Sequence, residues 1–194
     1  MSNHYNIKNF LKEASSKLNT KKEILFKYTQ KISIKTSAIN LTNKKRAFNI
    51  IYPDKTSYIG IGRCKEYNLK SEKDLINLKR LSYHMQAFGE EENNKPIKLF
   101  GGISFNISTT EKYPWEDIPK GLFFIPEFLI KKINTKQYIS FFYLINKHSD
   151  IDEIQNHYIT FINQINRKDN TSKTSLTFNE NIPDRNNYSK IFNI

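Results

Sequence analysis

Cysteine is almost absent from this chain: Cys64 stands alone. A single thiol excludes an internal disulfide framework and fits a reducing compartment. Glycine and proline number six each in 194 residues, too few for a fibrous or low-complexity chain. Long apolar runs are missing as well. The longest apolar-looking stretch, Tyr138 to Ile145, falls far short of the ~20 residues that a membrane-spanning helix requires. The opening MSNHYNIKNFLKEA lacks the continuous apolar core of a signal peptide. What is present is 38% hydrophobic and 13% aromatic residues, more than a disordered chain carries. The expectation is a soluble, cytoplasmic globular protein of one domain, or two small ones.

Acidic residues are scarce at the beginning. The net charge of +12 is concentrated in residues 1–50, which hold 11 basic residues against 2 acidic ones; residues 151–194 hold 5 against 5. A basic segment concentrates anions around it, so nucleic acid and acidic lipid enter as partners to weigh. Arginine, which reads phosphates and guanine edges in two-pronged fashion, occurs only at Arg46, Arg63, Arg80, Arg167 and Arg185. Those positions are scattered, which favours a solvated basic surface over a nucleic-acid site.

Periodicity divides the chain into elements. Ile7, Phe10, Leu11, Ala14 and Leu18 recur at helical spacing, predicting a helix over residues 5–19. From Ile24 the period becomes two, with Phe26, Tyr28, Ile32 and Ile34 predicting a half-buried strand. Phe48, Ile50 and Tyr52, then Pro53-Asp54-Lys55-Thr56, then Tyr58 to Ile61 predict a hairpin. Ser71 with Asp74 three residues on is a variant capping box. It opens a helical stripe of Leu75, Leu78, Leu81, Met85 and Phe88, with Gly89 as the stop.

The second half repeats the style. Ile97, Leu99, Gly101, Ile103 and Phe105 alternate on one face, with Phe100 on the other. A long connection around Pro114, Trp115 and Pro119 leads to GLFFIPEFLIKK and KQYISFFYLIN, two strands joined near Asn134-Thr135. Pro126 inside the first implies an edge or a bulge. Ser149 and Asp152 start a third helix with the stripe Ile151, Ile154, Tyr158, Ile162 and Ile165. The order α, three strands, α, three strands, α predicts an α+β fold with antiparallel sheets, built as two helix-plus-three-strand units over residues 5–65 and 72–145. Residues 169–187 are polar and read as a linker.

Chemistry is harder to find. His4, His84, His148 and His157 show no metal-site spacing. Cys64 has no activating neighbour in sequence, so a buried thiol is the expectation. Glu90 to Glu92 read as a solvated loop rather than a cation site. Gly60-Ile61-Gly62 and Gly101-Gly102 fit neither dinucleotide nor Walker spacing, and glycine inside a strand marks a bulge or close packing. Trp115 reads as a loop anchor. No catalytic, cofactor-binding or metal-binding residue is assigned.

Three stretches nevertheless resemble, in order, the amino-terminal half of the chorismate-utilising enzymes, most closely isochorismate synthases of menaquinone or siderophore synthesis. Tyr58-Ile59-Gly60-Ile61-Gly62 is similar to that family's strand ending in Gly-x-Gly. Lys98-Leu99-Phe100-Gly101-Gly102-Ile103-Ser104-Phe105-Asn106 resembles its Phe-Gly-Gly-Phe-x-Phe-Asp strand, departing at Ile103 and Asn106. Trp115, Ile118-Pro119 and Phe123-Phe124-Ile125-Pro126 resemble its Trp, Phe-Pro and Pro-bearing apolar strand.

The resemblance covers residues 22–165 and implies that residues 1–168 form the amino-terminal α+β domain. Residues 169–194 would then be a linker and the start of a carboxy-terminal half that lies elsewhere. It further implies that the base lysine, the chorismate-binding residues and the glutamates holding magnesium lie in that other half, so none is carried onto this chain. The tryptophan-sensing Leu-Leu-Glu-Ser motif of anthranilate synthases is absent; Ile24 to Ile32 stands in its place. The expected partner is a separately encoded catalytic half, or a second copy through an exposed apolar face. The alternative is a stand-alone basic binding module of the same fold that contacts an anionic partner.

Overall fold

A computed structural model describes residues 4–20, 23–33, 47–81, 86–89, 97–104 and 120–166. Helix α1 (His4–Ser16) runs into a short 3-10 turn at Lys17–Thr20, and β1 spans Glu23–Ile32. Strands β2 (Ala47–Ile51), β3 (Ser57–Ile61) and β4 (Lys65–Leu69) precede α2 (Glu72–Leu81). Strands β5 (Gln86–Gly89), β6 (Phe100–Ile103), β7 (Gly121–Ile125), β8 (Phe128–Ile133) and β9 (Lys136–Asn146) follow, and α3 covers Ile151–Asn166.

Six strands form one sheet in the order β2-β3-β8-β9-β1-β5, and three form a second in the order β4-β7-β6. All pairings are antiparallel except β1 with β5. The fold is therefore α+β, as the element order predicts. The two helix-plus-strand passes do not stand apart, however. β3 pairs β8 and β1 pairs β9, so both passes share a single large sheet.

Alternation distributes the side chains to two cores. Phe26, Tyr28, Ile59, Ile61, Phe128, Ile130, Ile139, Phe141 and Ile145 point to one face, where α1 covers them with Ile7, Leu11 and Ala14 and α3 with Ile154, Tyr158, Phe161, Ile162 and Ile165. On the opposite face Leu25, Tyr58, Leu129 and Phe142 meet Ile97, Phe100 and Ile125. The second sheet thus adds a further layer. Strand β1 is consequently buried on both faces from Ile24 to Gln30, not half-buried as its alternation predicts. Its polar positions are covered as well, Lys27 and Thr29 on the side of Leu25 and Gln30 on the side of Phe26 and Tyr28.

The chain changes sheets twice at one place. Gly62, at φ +69°, turns it out of β3 toward β4, and Pro126-Glu127 carries it from β7 into β8. The two crossovers are tied by Cys64 N–H to Ile125 C=O at 2.8 Å and by Glu127 N–H to Ile61 C=O at 3.1 Å. The strand predicted over GLFFIPEFLIKK is therefore two strands in two sheets. Pro126 lacks the N–H that a continuous ladder would require.

Local signals act as their chemistry dictates, with adjustments. Asp74 Oδ2 accepts from Lys70 N–H at 2.9 Å, Ser71 N–H at 3.0 Å and Ser71 Oγ at 3.1 Å, which closes the return half of the capping box. At α3 the cap is Asp150, whose Oδ1 accepts from Asp152 N–H and Glu153 N–H at 2.8 and 3.2 Å. Ser149 instead receives Asn146 N–H. Helix α2 ends at Leu81, short of the predicted stripe. Phe88 belongs to β5, where it stacks on Phe26 at 5.5 Å and meets Phe10 at 5.7 Å. Pairing with β1 and aromatic burial outweigh helix propensity there. On β6 Phe100 is buried, while Ile103 on the opposite face is 51% exposed. Phe105 and the linker at residues 169–187 lie outside the described residues.

Candidate functional site

The register of the large sheet builds a cleft on the face opposite the helices. Tyr58, Lys131 and Tyr138 occupy one row across β3, β8 and β9. Leu129, Ser140 and Thr29 form the next row across β8, β9 and β1. Phe142 and its partner Lys27 lie one step beyond. Side chains two residues apart on a strand share a face, and opposite partners lie side by side. All eight therefore line one half-open cleft enclosing about 50 Å³, together with Ile97 and Lys98.

Three lysines converge on this cleft, and among the lining residues there is no Asp or Glu. Lys27 is only 5% exposed, a rare position for lysine. Lys98 Nζ lies over the ring of Tyr58, 4.7 Å from its centre, where the π face attracts a cation. The hydroxyls of Thr29 and Ser140 share a hydrogen bond of 2.8 Å on the floor. Lys27 and Lys131 are each held by interactions of their own. Each ammonium offers three donors and no acceptor. The arrangement suits a ligand with negative charge and an apolar body. Sequence reading assigned none of these residues to a site. The available signal was Lys27 itself, a lysine between Phe26 and Tyr28 in a strand too apolar for a solvated edge.

The residues singled out by sequence fall elsewhere. Gly60 lies on β3 beneath the ring of Phe48, and a Cβ there would sit 2.9 Å from Phe48 Cδ1 and closer still to Cε1 and Cζ. Gly101 presses on β7, where a Cβ would lie 2.7 Å from Phe123 Cα and closer to the Leu122 carbonyl oxygen, while Gly102 meets nothing within 4 Å. Close packing accounts for the first two.

Cys64 is half-buried, and its thiol is pushed up to about 12, chiefly by burial and next by the Glu127 carboxylate. That suppresses the thiolate that nucleophilic work requires. His157 Nε2 lies 2.8 Å from Glu127 Oε1, and His148 is exposed on the turn before α3. His84, Glu90 to Glu92 and Trp115 lie outside the described residues. No group of three His, Cys, Asp or Glu that could hold a metal ion occurs among the described residues. No helix among them is long and apolar enough to cross a membrane.

Comparison with known proteins adds the family. No curated protein sequence matches this chain. Among solved structures, the menaquinone-specific isochorismate synthase MenF from Escherichia coli is similar at 10% sequence identity with a TM-score of 0.42. The likeness covers 81% of this chain and 33% of that enzyme, so this chain corresponds to about a third of its length. The family described as chorismate binding enzyme matches residues 9–193. Nearly the whole sequence is accounted for by that match, and the chain belongs to the chorismate binding enzyme family.

Proposed function

We propose that this chain is the amino-terminal, non-catalytic portion of an isochorismate synthase-like protein. The intact enzyme isomerises chorismate to isochorismate: water adds at one ring carbon as hydroxide leaves another, with magnesium holding the carboxylate. The observation that carries this reading is the family match over residues 9–193 together with the nature of the motifs that match. Gly60 leaves room for the Phe48 ring and Gly101 lies close against the β7 backbone, and that is structural work.

Among the described residues no group of three His, Cys, Asp or Glu could hold a metal ion, and in this proposal magnesium is held by the polypeptide that carries the reaction. Divalent cations of this kind need oxygen ligands and retained waters. No chemical step is therefore assigned to this chain. In the proposal the acid, base and metal ligands belong to further polypeptide, in frame beyond residue 194 or encoded separately.

Edge strands supply surfaces for such a partner. β2 and β6 each end a sheet among the described residues, and they carry Ile51, 70% exposed, and Ile103. Apolar edges favour pairing with another chain. The test mixes the purified chain with the carboxy-terminal half of an isochorismate synthase-type protein encoded beside it. Isochorismate is then assayed from chorismate and magnesium. Formation above that of the second half alone is expected, with no turnover by this chain alone. Turnover by this chain unaided, or no gain on mixing, overturns the proposal.

A further inference from the structure

We propose that the outer edge of β2 pairs with the same edge of a second copy of this chain, as antiparallel strands related by a two-fold axis at Asn49. This rests on β2 alone, so it stands whether or not the isochorismate synthase reading holds. It leaves the edge of β6 for the carboxy-terminal half.

Strand β2 is where the large sheet ends among the described residues. Native sheets guard such an edge with a charge, a proline or a bulge. β2 has none of these. Ala47 to Ile51 pair with β3 in unbroken register. From Ala47 through Tyr52 there is no charged residue and no proline, although 26% of the chain is charged. Ile50, Ile51 and Tyr52 are exposed together, a cluster of apolar surface of the kind that marks an interaction site. The end of the strand is also fixed. Tyr52 N–H donates to Thr56 C=O at 2.8 Å, and the Tyr52 ring meets Tyr58 edge-on at 5.8 Å. The edge is therefore preorganised, and little ordering remains to be done on pairing.

Charge and register select the occupant. With a net charge of +12, two copies repel each other over most contacts, and an acidic partner is drawn to basic surface. An uncharged strand escapes both effects: it meets its own copy with no like charges opposed. Antiparallel pairing about Asn49 is also self-complementary. Ala47, Asn49 and Ile51 share the helix-bearing face, and Phe48 and Ile50 the other. On the first face Ile51 of each copy falls beside Ala47 of the other, large against small, and the two Asn49 side chains meet at the axis. An amide both donates and accepts, so asparagine can satisfy its own copy. On the second face Ile50 of each copy falls beside Phe48 of the other, an aromatic and β-branched pair that stabilises sheets. The two six-stranded sheets become one, and the two-fold contact closes on itself rather than propagating.

The experiment is sedimentation velocity on the full chain from about 5 to about 500 μM, because a five-residue ladder is smaller than a standard interface and should be weak. A monomer–dimer equilibrium is expected. Asn49→Asp and Asn49→Lys each set like charges at the axis, and each should weaken the dimer about tenfold or more. Asn49 is exposed, so both variants should fold, which circular dichroism checks. Mixed in equal amounts, the two should dimerise again, because only at a two-fold centre does a residue meet its own copy. Ile103→Lys, on the edge of β6, should dimerise like the parent. The proposal is overturned if the parent stays monomeric throughout, or if either Asn49 variant dimerises like the parent. It is equally overturned if the mixture stays monomeric, or if Ile103→Lys abolishes the dimer.

Discussion

The ring of Phe48 lies over Gly60, its cross-strand partner on β3, in the space that a Cβ on Gly60 would occupy. From there Phe48 reaches the second sheet, 4.6 Å from the ring centre of Phe100 and 5.7 Å from that of Phe124. A glycine in one sheet thus lets an aromatic side chain lie flat and receive the other sheet. Gly60→Ala should destabilise the chain by about 1–3 kcal/mol, the usual cost of overpacking. Urea denaturation of Gly60→Ala, Phe48→Ala and the double variant checks it. The double variant should lose less than the sum, because the pair shares one space.

Gly101 and Gly102 are adjacent, yet they should respond in opposite ways. A Cβ at Gly101 would run into the backbone of Leu122 and Phe123, which cannot rotate away, while one at Gly102 meets nothing. Gly101→Ala is expected to cost upwards of about 2 kcal/mol as the β6–β7 ladder is forced apart. Gly102→Ala should fall within about 0.5 kcal/mol of the parent. Equal effects in thermal unfolding would refute the assignment of Gly101 to close backbone approach.

The carboxyl of Asp74 is held below its ordinary value, first by the Lys70 N–H and then by the Ser71 hydroxyl. A lowered folded-state value means that the cap contributes above the unfolded value, near 4. Its contribution fades as pH falls through the lower folded value. Asp74→Ala should therefore lower the melting temperature at pH 7, and the gap to the parent should close in strong acid. Melting curves from pH 7 down to pH 2 test this; a gap independent of pH counts against the cap.

Cys64 should resist alkylation. With the thiol pushed up to about 12 by burial and Glu127, iodoacetamide at pH 8 should label the folded chain far more slowly than the urea-unfolded one. The sign for stability is opposite to that of Asp74. The folded thiol stays protonated while the unfolded one ionises near 8.5. Its contribution is complete below that value and declines as pH rises toward 12. Rapid labelling without denaturant would contradict the burial assigned here.

Much of the fold was legible from local patterns. The stripe of Ile154, Tyr158, Ile162 and Ile165 lies against the sheet as predicted. The β2–β3 hairpin turns at Pro53 to Thr56, closed by Lys55 N–H to Tyr52 C=O at 2.9 Å. Asn134 takes the positive φ that its turn requires, a conformation asparagine tolerates. Each is decided within a few residues. Where distant segments compete for the same residues, local pattern misled: Phe88 follows a helical stripe in sequence but is held in a strand by β1.

The sequence by itself determined the α+β class, the three helix starts and the family, because periodicity, caps and turn residues act over short range and motifs survive as strings, while it left out β4 and read β5 as helix. Tertiary structure alone decided that Pro126 divides two sheets, that β1 is buried on both faces, and that Lys27, Lys98 and Lys131 share a cleft. Lys27 and Lys131 are brought together by ladders joining residues about a hundred positions apart, such as Thr29 with Ser140, and Lys98 comes from the segment before β6. Long-range register is set by which faces can be buried together, and no local string records that.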